Sequence, residues 1–221
     1  MLKLKEYTKT FPSNTYLYYC FEAMKELHNS LDWICFHKED MDDDDVQVYE
    51  RNFIISLTTK LSEKGLKLPG MINGEVAKSL DAMAPREIKE KYKELKRIHK
   101  HSYNPKSCYV FPDFLIHESN SPDKETWTFE NQHIIIEAKT NNIVENYAFY
   151  LDFFKLNTYL SYLNFENAIY LIVQTPISKI NKYLIEYEND VGFLSQRIDN
   201  LYFFIQDKID NEPKIYKISN K

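Results

Sequence analysis

Glycine is scarce in this chain, and its scarcity argues against two large classes of nucleotide-binding site. Only 4 of the 221 residues are glycine, and neither GxGxxG nor GxxxxGK[ST] occurs in the sequence. Both motifs depend on glycine because the backbone must approach phosphate groups closely and adopt conformations that side chains disfavour. The sequence therefore predicts chemistry that uses no nucleotide cofactor.

Cysteines and long apolar runs are also sparse. The three cysteines, Cys20, Cys35 and Cys108, form no CxxC pair, which is typical of reduced packing residues in a cytoplasmic protein. No run approaches the roughly 18 apolar residues of a membrane span, and the N-terminus lacks a secretory signal pattern. We therefore expect a cytoplasmic protein with no membrane association.

The chain has no overall excess of positive charge. Its formal net charge is -5 and its pI is about 5.7, values that do not indicate a nucleic-acid-binding protein. Segment 86–106 nevertheless holds eight lysines and arginines against three glutamates, interleaved with tyrosine and histidine. This segment is the candidate for DNA phosphate contacts, through Lys93, Lys96, Arg97 and Lys100. A solvated helix with Glu–Lys pairs four residues apart explains the same pattern equally well.

Apolar residues are abundant, and their spacing divides the chain into two parts. Hydrophobic residues make up 43% of the chain and aromatic residues 15%, which is ample for a core. Residues 1–101 show three- and four-residue apolar spacings, which predict a mainly helical N-terminal part with the stretch LPGMINGE as a loop. Residues 102–221 alternate strand-like and helical stretches in the order β-β-α-β-α-β-β. We therefore predict a single α/β domain with a mixed central sheet flanked by helices.

The strand-like stretch HIIIEAKT, residues 133–140, ends in two charged residues. Glu137 and Lys139 are two apart, so their side chains emerge from the same face of the strand. Upstream, Asp113 follows Pro112 inside the apolar stretch YVFPDFLIH, and a hairpin between the two stretches would bring both carboxylates onto neighbouring strands. Carboxylates buried without partners are costly, and a hard divalent cation such as Mg²⁺ would offset that cost. Such a group suits metal-assisted phosphodiester hydrolysis.

Together, Pro112-Asp113 and Glu137-Ala138-Lys139 resemble the PD-(D/E)xK nuclease superfamily. The resemblance covers roughly residues 45–175 and implies a restriction-endonuclease-like core. It also implies that Asp113, Glu137 and the Ala138 carbonyl bind Mg²⁺, or Mn²⁺ in its place, and that Lys139 serves the attacking water. The alternative without chemistry is a surface Glu–Lys pair at a strand end and a turn aspartate after proline.

Two further positions match the family's pattern. Many members carry a glutamate near the metal on the helix before the sheet, and Glu50 occupies the corresponding stretch VYERNFIISLTTKL. The alternative for Glu50 is a helix-start glutamate favoured by the helix dipole. Members also carry D-x-x-[QK]-x-x-x-Y on the helix after the ExK strand, matched here by Asp152, Lys155 and Tyr159. The resemblance implies that Lys155 contacts the scissile phosphate or supports the site; the alternative is a solvated lysine.

These features predict a Mg²⁺-dependent endonuclease that acts on DNA. Family association adds a role as the effector of a restriction or phage-defence system, with protein partners or as a homo-oligomer. The rival hypothesis is a catalytically silent nuclease-like fold that serves as a structural or protein-binding subunit of a larger complex. The complete set of Asp113, Glu137 and Lys139 argues against silence, because a silent member need not retain it.

Overall fold

The computed structural model describes residues 1–30, 50–63, 71–74, 78–79, 83–99, 109–118, 132–140, 146–208 and 211–220. The helices are α1 (Tyr16–Ser30), α2 (Glu50–Glu63), α3 (Arg86–His99), α4 (Asn146–Tyr162) and α5 (Ile177–Asp190). The strands are β1 (Leu2–Glu6), β2 (Met71–Gly74), β3 (Lys78–Ser79), β4 (Tyr109–Val110), β5 (Phe114–His117), β6 (Gln132–Lys139), β7 (Asn167–Val173), β8 (Leu201–Gln206) and β9 (Lys214–Asn220).

Seven of these strands form one mixed sheet in the order β1-β9-β8-β7-β6-β5-β2. The central strands β6, β7 and β8 are parallel, whereas the outer pairings are antiparallel. Parallel strands are covered on both faces, which explains why β7 and β8 are almost continuously apolar and why β6 has an apolar centre. The predicted mixed sheet with flanking helices is confirmed.

Helices cover the two faces of the sheet with separate cores. On one face, α3, α4 and α5 pack against residues such as Leu115 of β5 and Ile135 of β6. On the other face, α1 and α2 pack against their sequence neighbours Phe114 and Ile136. Because strand side chains alternate between faces, Leu115 of β5 and Ile135, Glu137 and Lys139 of β6 point toward α4. This alternation fixes the face on which the charged residues at the strand ends emerge.

The first hundred residues contribute strands as well as helices. The expectation of a loop at LPGMINGE is wrong for residues 71–74, which form β2 and pair with β5. The sequence prediction also lacked strand β1. Its residues alternate between buried and exposed, and it pairs antiparallel with β9. Both lie at sheet edges, where pairing with distant strands supplies the stabilisation that a short local pattern does not reveal. The helical N-terminal part is therefore integrated into the sheet at both of its edges.

Side chains from α5 protect the exposed edge of β1. The Leu2 amide donates to Glu188 Oε2 at 2.8 Å, and the Leu4 amide donates to Asn181 Oδ1 at 2.7 Å. Unpaired amides on an edge strand are templates for aggregation, and these hydrogen bonds satisfy them. The edge of the sheet is thus closed by tertiary contacts with a helix.

The apolar stretch around Pro112 is two short strands. Strand β4 ends at Val110 and β5 begins at Phe114, with Asp113 in the break between them. Proline has no amide proton to give to a strand ladder, so a break at this point is expected. The break frees Asp113 from regular pairing and leaves its side chain available for other contacts.

The state of the cysteines and the apolarity of the helices were both predicted from composition. Cys20 is a buried free cysteine in α1, and burial raises the pKa of its thiol to about 12. This agrees with a packing role, while Cys35 and Cys108 lie outside the described residues. No helix in the described ranges is long and apolar enough to cross a membrane.

Candidate active site

Strands β5 and β6 bring Asp113 and Glu137 together. Phe114 pairs with Ile136, so Asp113, one residue earlier, lies level with Glu137, one residue later. Asp113 Oδ2 accepts a hydrogen bond of 2.8 Å from the Ala138 amide, which ties it to the end of β6. Asp113, directly before β5, therefore lies beside the end of β6 that carries Glu137.

Lys139 emerges on the same side as Glu137, facing α4. Its ammonium donates to the Ala138 carbonyl at 3.0 Å and lies 3.0 Å from Asp152 Oδ2. Asp152 Oδ2 is buried and receives no hydrogen bond of good geometry, so its contact with Lys139 is an ion pair. The partner of Lys139 is thus a helix carboxylate, and Glu137 is held by other groups.

Helix α4 supplies the direct partners of Glu137. Lys155 Nζ lies 2.5 Å from Glu137 Oε2 and 2.9 Å from Asp152 Oδ1. The Tyr159 hydroxyl donates to Glu137 Oε1 at 2.9 Å. Steps of three and four residues place Asp152, Lys155 and Tyr159 on one helix face, so all three reach the same strand end. Both oxygens of Glu137 therefore accept hydrogen bonds from a single helix.

Burial dominates the electrostatics of the two carboxylates at the strand ends. Glu137 has 0% exposure, and burial raises the pKa of its carboxyl well above the usual range despite the nearby Lys155. Burial also raises the pKa of Asp113, with opposing contributions from Lys155 and Lys139. Ionised carboxylates are thus disfavoured here unless positive charge is close.

On α4, the pKa values of Asp152 and Lys155 are shifted so that both side chains favour their charged forms. Burial opposes the charged form of Lys155, yet Asp152, Glu137 and Asp113 together raise the pKa of its ammonium well above its ordinary value. Burial likewise opposes ionisation of Asp152, but Lys139 and Lys155 lower its pKa. The Asp152 carboxylate and the Lys155 ammonium are therefore both charged at neutral pH.

The cluster has the oxygen donors that a hard cation requires. Asp113, Glu137 and the Ala138 carbonyl meet at one strand end, and Mg²⁺ is commonly held by one or two carboxylates while it keeps several waters. Among the described residues no group of three acidic, histidine or cysteine side chains forms a metal site, so the set rests on two carboxylates and one carbonyl. Lys139 is 24% exposed and Asp113 is half-buried, which opens the cluster to solvent on their side. The donors fit Mg²⁺.

The predicted role of Glu50 lies outside what the structure describes. Helix α2 is described over Glu50–Glu63. The helix packs on the face of the sheet opposite α4, through Phe53, Leu57 and Leu61. The side chain of Glu50 is not among the described groups, so its assignment as a ligand stays a prediction.

Helix α3, the candidate DNA-binding segment, lies on the same face of the sheet as the cluster. It packs against α4, with Ile88, Tyr92 and Leu95 buried in their common core. Lys93 and Lys96 are half-buried and Arg97 is exposed, while Lys100 lies outside the described residues. Ion pairs along the helix, of the kind expected for a solvated charged helix, are also present: Arg86 pairs with Glu90, and Lys91 pairs with Glu94. The helix thus combines solvated ion pairs with the further cations Lys93, Lys96 and Arg97.

Sequence reasoning placed Asp152 and Tyr159 in a helix pattern but gave them no role. In the structure Tyr159 is fully buried on Glu137, and Asp152 contacts both lysines. The available signal was the recurrence of polar groups at helical spacing within a helix that is otherwise strongly apolar. Which strand residue each would contact depends on how α4 packs on the sheet.

Comparison of the chain with protein-family models, curated proteins and solved structures gives no match. The residues of the cluster and the motif resemblance are therefore what indicates a function.

Proposed function

We propose that this chain is a metal-dependent nuclease that hydrolyses DNA phosphodiester bonds. The observation that supports this most is the meeting of Asp113 and Glu137 on adjacent strands, with Lys139 at the Ala138 carbonyl. A structural ion pair needs only one carboxylate and one lysine, whereas this cluster has three carboxylates and two lysines. The excess of buried acid suits a site that receives a cation.

Each residue of the cluster has a distinct task in this proposal. Asp113, Glu137 and the Ala138 carbonyl would hold Mg²⁺, for which Mn²⁺ could substitute. A divalent ion held there would supply a lowered pKa of bound water and stabilisation of charge on the phosphate. Lys139, on the more open side, orients the attacking water, while Lys155 and Tyr159 fix the Glu137 carboxylate. Only the resemblance to the nuclease superfamily suggests a role in restriction or phage defence, with protein partners or a second copy of the chain.

One observation favours the rival hypothesis of a silent structural subunit. Both Glu137 oxygens are already hydrogen-bonded, and Lys155 neutralises the carboxylate directly. A closed buried network of this kind can fix the packing of α4 on β6 without any chemistry. The two hypotheses differ in whether the cluster binds a divalent cation.

Cleavage of plasmid DNA tests the proposal. Purified protein should nick or linearise the plasmid with Mg²⁺ or Mn²⁺ and lose all activity in EDTA. Lys139→Ala should abolish cleavage, and Lys182→Ala is the matched control because Lys182 is 71% exposed on α5. A plasmid left intact with either metal, or equal cleavage by wild type and Lys139→Ala, would favour the silent subunit.

Charge reversal on α3 tests how an acidic chain holds DNA. Lys93→Glu and Arg97→Glu should weaken binding to all sequences alike, because phosphate contacts carry no sequence information. Each lost contact should reduce the slope of log affinity against log salt by about 0.9. Lys3→Glu and Lys5→Glu make the same charge change on the exposed side of edge strand β1 and serve as the control. Fluorescence anisotropy across a salt series measures both quantities, and an unchanged slope in the α3 variant would exclude the helix.

A further inference from the structure

One buried carboxylate joins the two lysines of the cluster. Asp152 is 5% exposed, its Oδ1 lies 2.9 Å from Lys155 Nζ, and its Oδ2 lies 3.0 Å from Lys139 Nζ. Lys139 belongs to β6 and Lys155 to α4, so Asp152 connects the strand and the helix through their ammonium groups.

Asp152 gives both lysines a charged partner. Lys139 also donates to the neutral Ala138 carbonyl, and Lys155 also donates to Glu137. A lysine side chain carries about 2 kcal/mol of rotamer entropy, and a hydrogen bond to a charged group offsets more of that cost than one to a neutral carbonyl. Asp152 adds a charged anchor to each ammonium at little entropic cost, because it is itself buried.

Asp152 also contributes negative charge to the cluster. Its carboxylate is almost fully buried and lies within 3.0 Å of the ammonium groups of both Lys139 and Lys155. Removing its charge makes the cluster more positive by one unit, whether or not Asp113 and Glu137 are ionised. Since the cluster is largely buried, little solvent screens this difference.

We propose that Asp152 is a positioning residue that holds Lys139 at the Ala138 carbonyl and Lys155 at Glu137, and that supplies negative charge that favours a divalent cation. This inference rests on the proposed nuclease function. Asp152 touches neither water nor phosphate in this role and acts only through the two lysines and the electrostatics of the cluster.

Asp152→Asn tests the inference because asparagine keeps the shape and removes the charge. Residues behind metal ligands typically contribute about 10- to 100-fold to metal affinity or activity. We therefore expect Mn²⁺ affinity, measured by calorimetry, to fall by about that factor, and kcat to fall with little change in KM. Asp152→Glu, which keeps the charge, should recover part of both losses and provides a second variant if asparagine prevents folding.

Thr158→Val is the matched control. Thr158 is fully buried on the same helix, and its hydroxyl donates to the Phe154 carbonyl at 2.8 Å without contact to either lysine. This variant loses a buried polar group of α4, so it reports on structural damage alone. We expect its Mn²⁺ affinity and kcat to match those of the wild type.

A separate readout distinguishes failure of this inference from failure of the proposed function. The ¹⁵Nζ ammonium resonances of Lys139 and Lys155 should be sharp in the wild type and broaden or vanish in Asp152→Asn. Unchanged resonances, or folded Asp152→Asn with the Mn²⁺ affinity and kcat of Thr158→Val, would overturn the inference. A wild type that binds no Mn²⁺ would overturn the nuclease proposal and the charge role, while the resonances alone would then decide the positioning role.

Discussion

Glu137→Ala is expected to abolish DNA cleavage and to lower the free energy of unfolding by about 1–3 kcal/mol, the cost of leaving a buried polar group unsatisfied. The loss of stability follows because Lys155 and the Tyr159 hydroxyl both lose the buried partner that they share. Lys155 keeps its ion pair with Asp152, so the loss is smaller than for a buried charge left with no partner. Chemical denaturation followed by circular dichroism measures the loss, and the plasmid assay measures cleavage.

Two further variants separate the buried charge from the lost packing. Glu137→Gln keeps the size and an acceptor oxygen, so it should cost less stability than alanine while it still abolishes cleavage. The double variant Glu137→Leu with Lys155→Met removes both charges, and it should recover much of the stability lost in Glu137→Ala. If Glu137→Ala unfolds within about 1 kcal/mol of the wild type, the buried Lys155–Glu137 pair is not the stabilising contact inferred here.

Asp113→Asn is expected to lower the cleavage rate at least about 1,000-fold while the fold stays intact. The amide oxygen of asparagine can still accept the hydrogen bond from the Ala138 amide, so the tie to β6 persists. What disappears is the negative charge, which the proposal assigns to metal binding. Single-turnover cleavage with Mg²⁺ measures the rate, and Mn²⁺ calorimetry should show the matching loss of affinity.

The stability of Asp113→Asn should depend on pH in a defined direction. Burial raises the pKa of the Asp113 carboxyl in the folded protein, so folding favours its protonated form. In EDTA, the wild type should therefore lose stability relative to Asp113→Asn as pH rises from the unfolded value of about 3.9 through the raised folded value. At pH 7 the variant should be at least as stable as the wild type. A variant that is clearly less stable at pH 7 would show that the ionised carboxylate stabilises the fold.

Local sequence patterns determined much of the architecture around the candidate site. Alternation along β6 was enough to place Glu137 and Lys139 on one face, and helical spacing was enough to align Asp152, Lys155 and Tyr159. These patterns are reliable because they follow from the geometry of a single strand or helix. The same reasoning located β7, α5, β8 and β9, which are long and strongly apolar or amphipathic.

Contacts between distant segments required the tertiary structure. Strands β1 and β2 are short, and their place at the sheet edges depends on β9 and β5, which lie far away in the chain. Likewise, the sequence showed that Glu137 and Lys139 emerge on the same face of β6. Their partners depend on how α4 packs on β6: Glu137 pairs with Lys155, and Lys139 pairs with Asp152. Spacing along one element decides the face of a side chain, whereas its partner is chosen by which element packs above that face and at what offset. In a buried cluster with two lysines and three carboxylates, that offset decides which charges are paired.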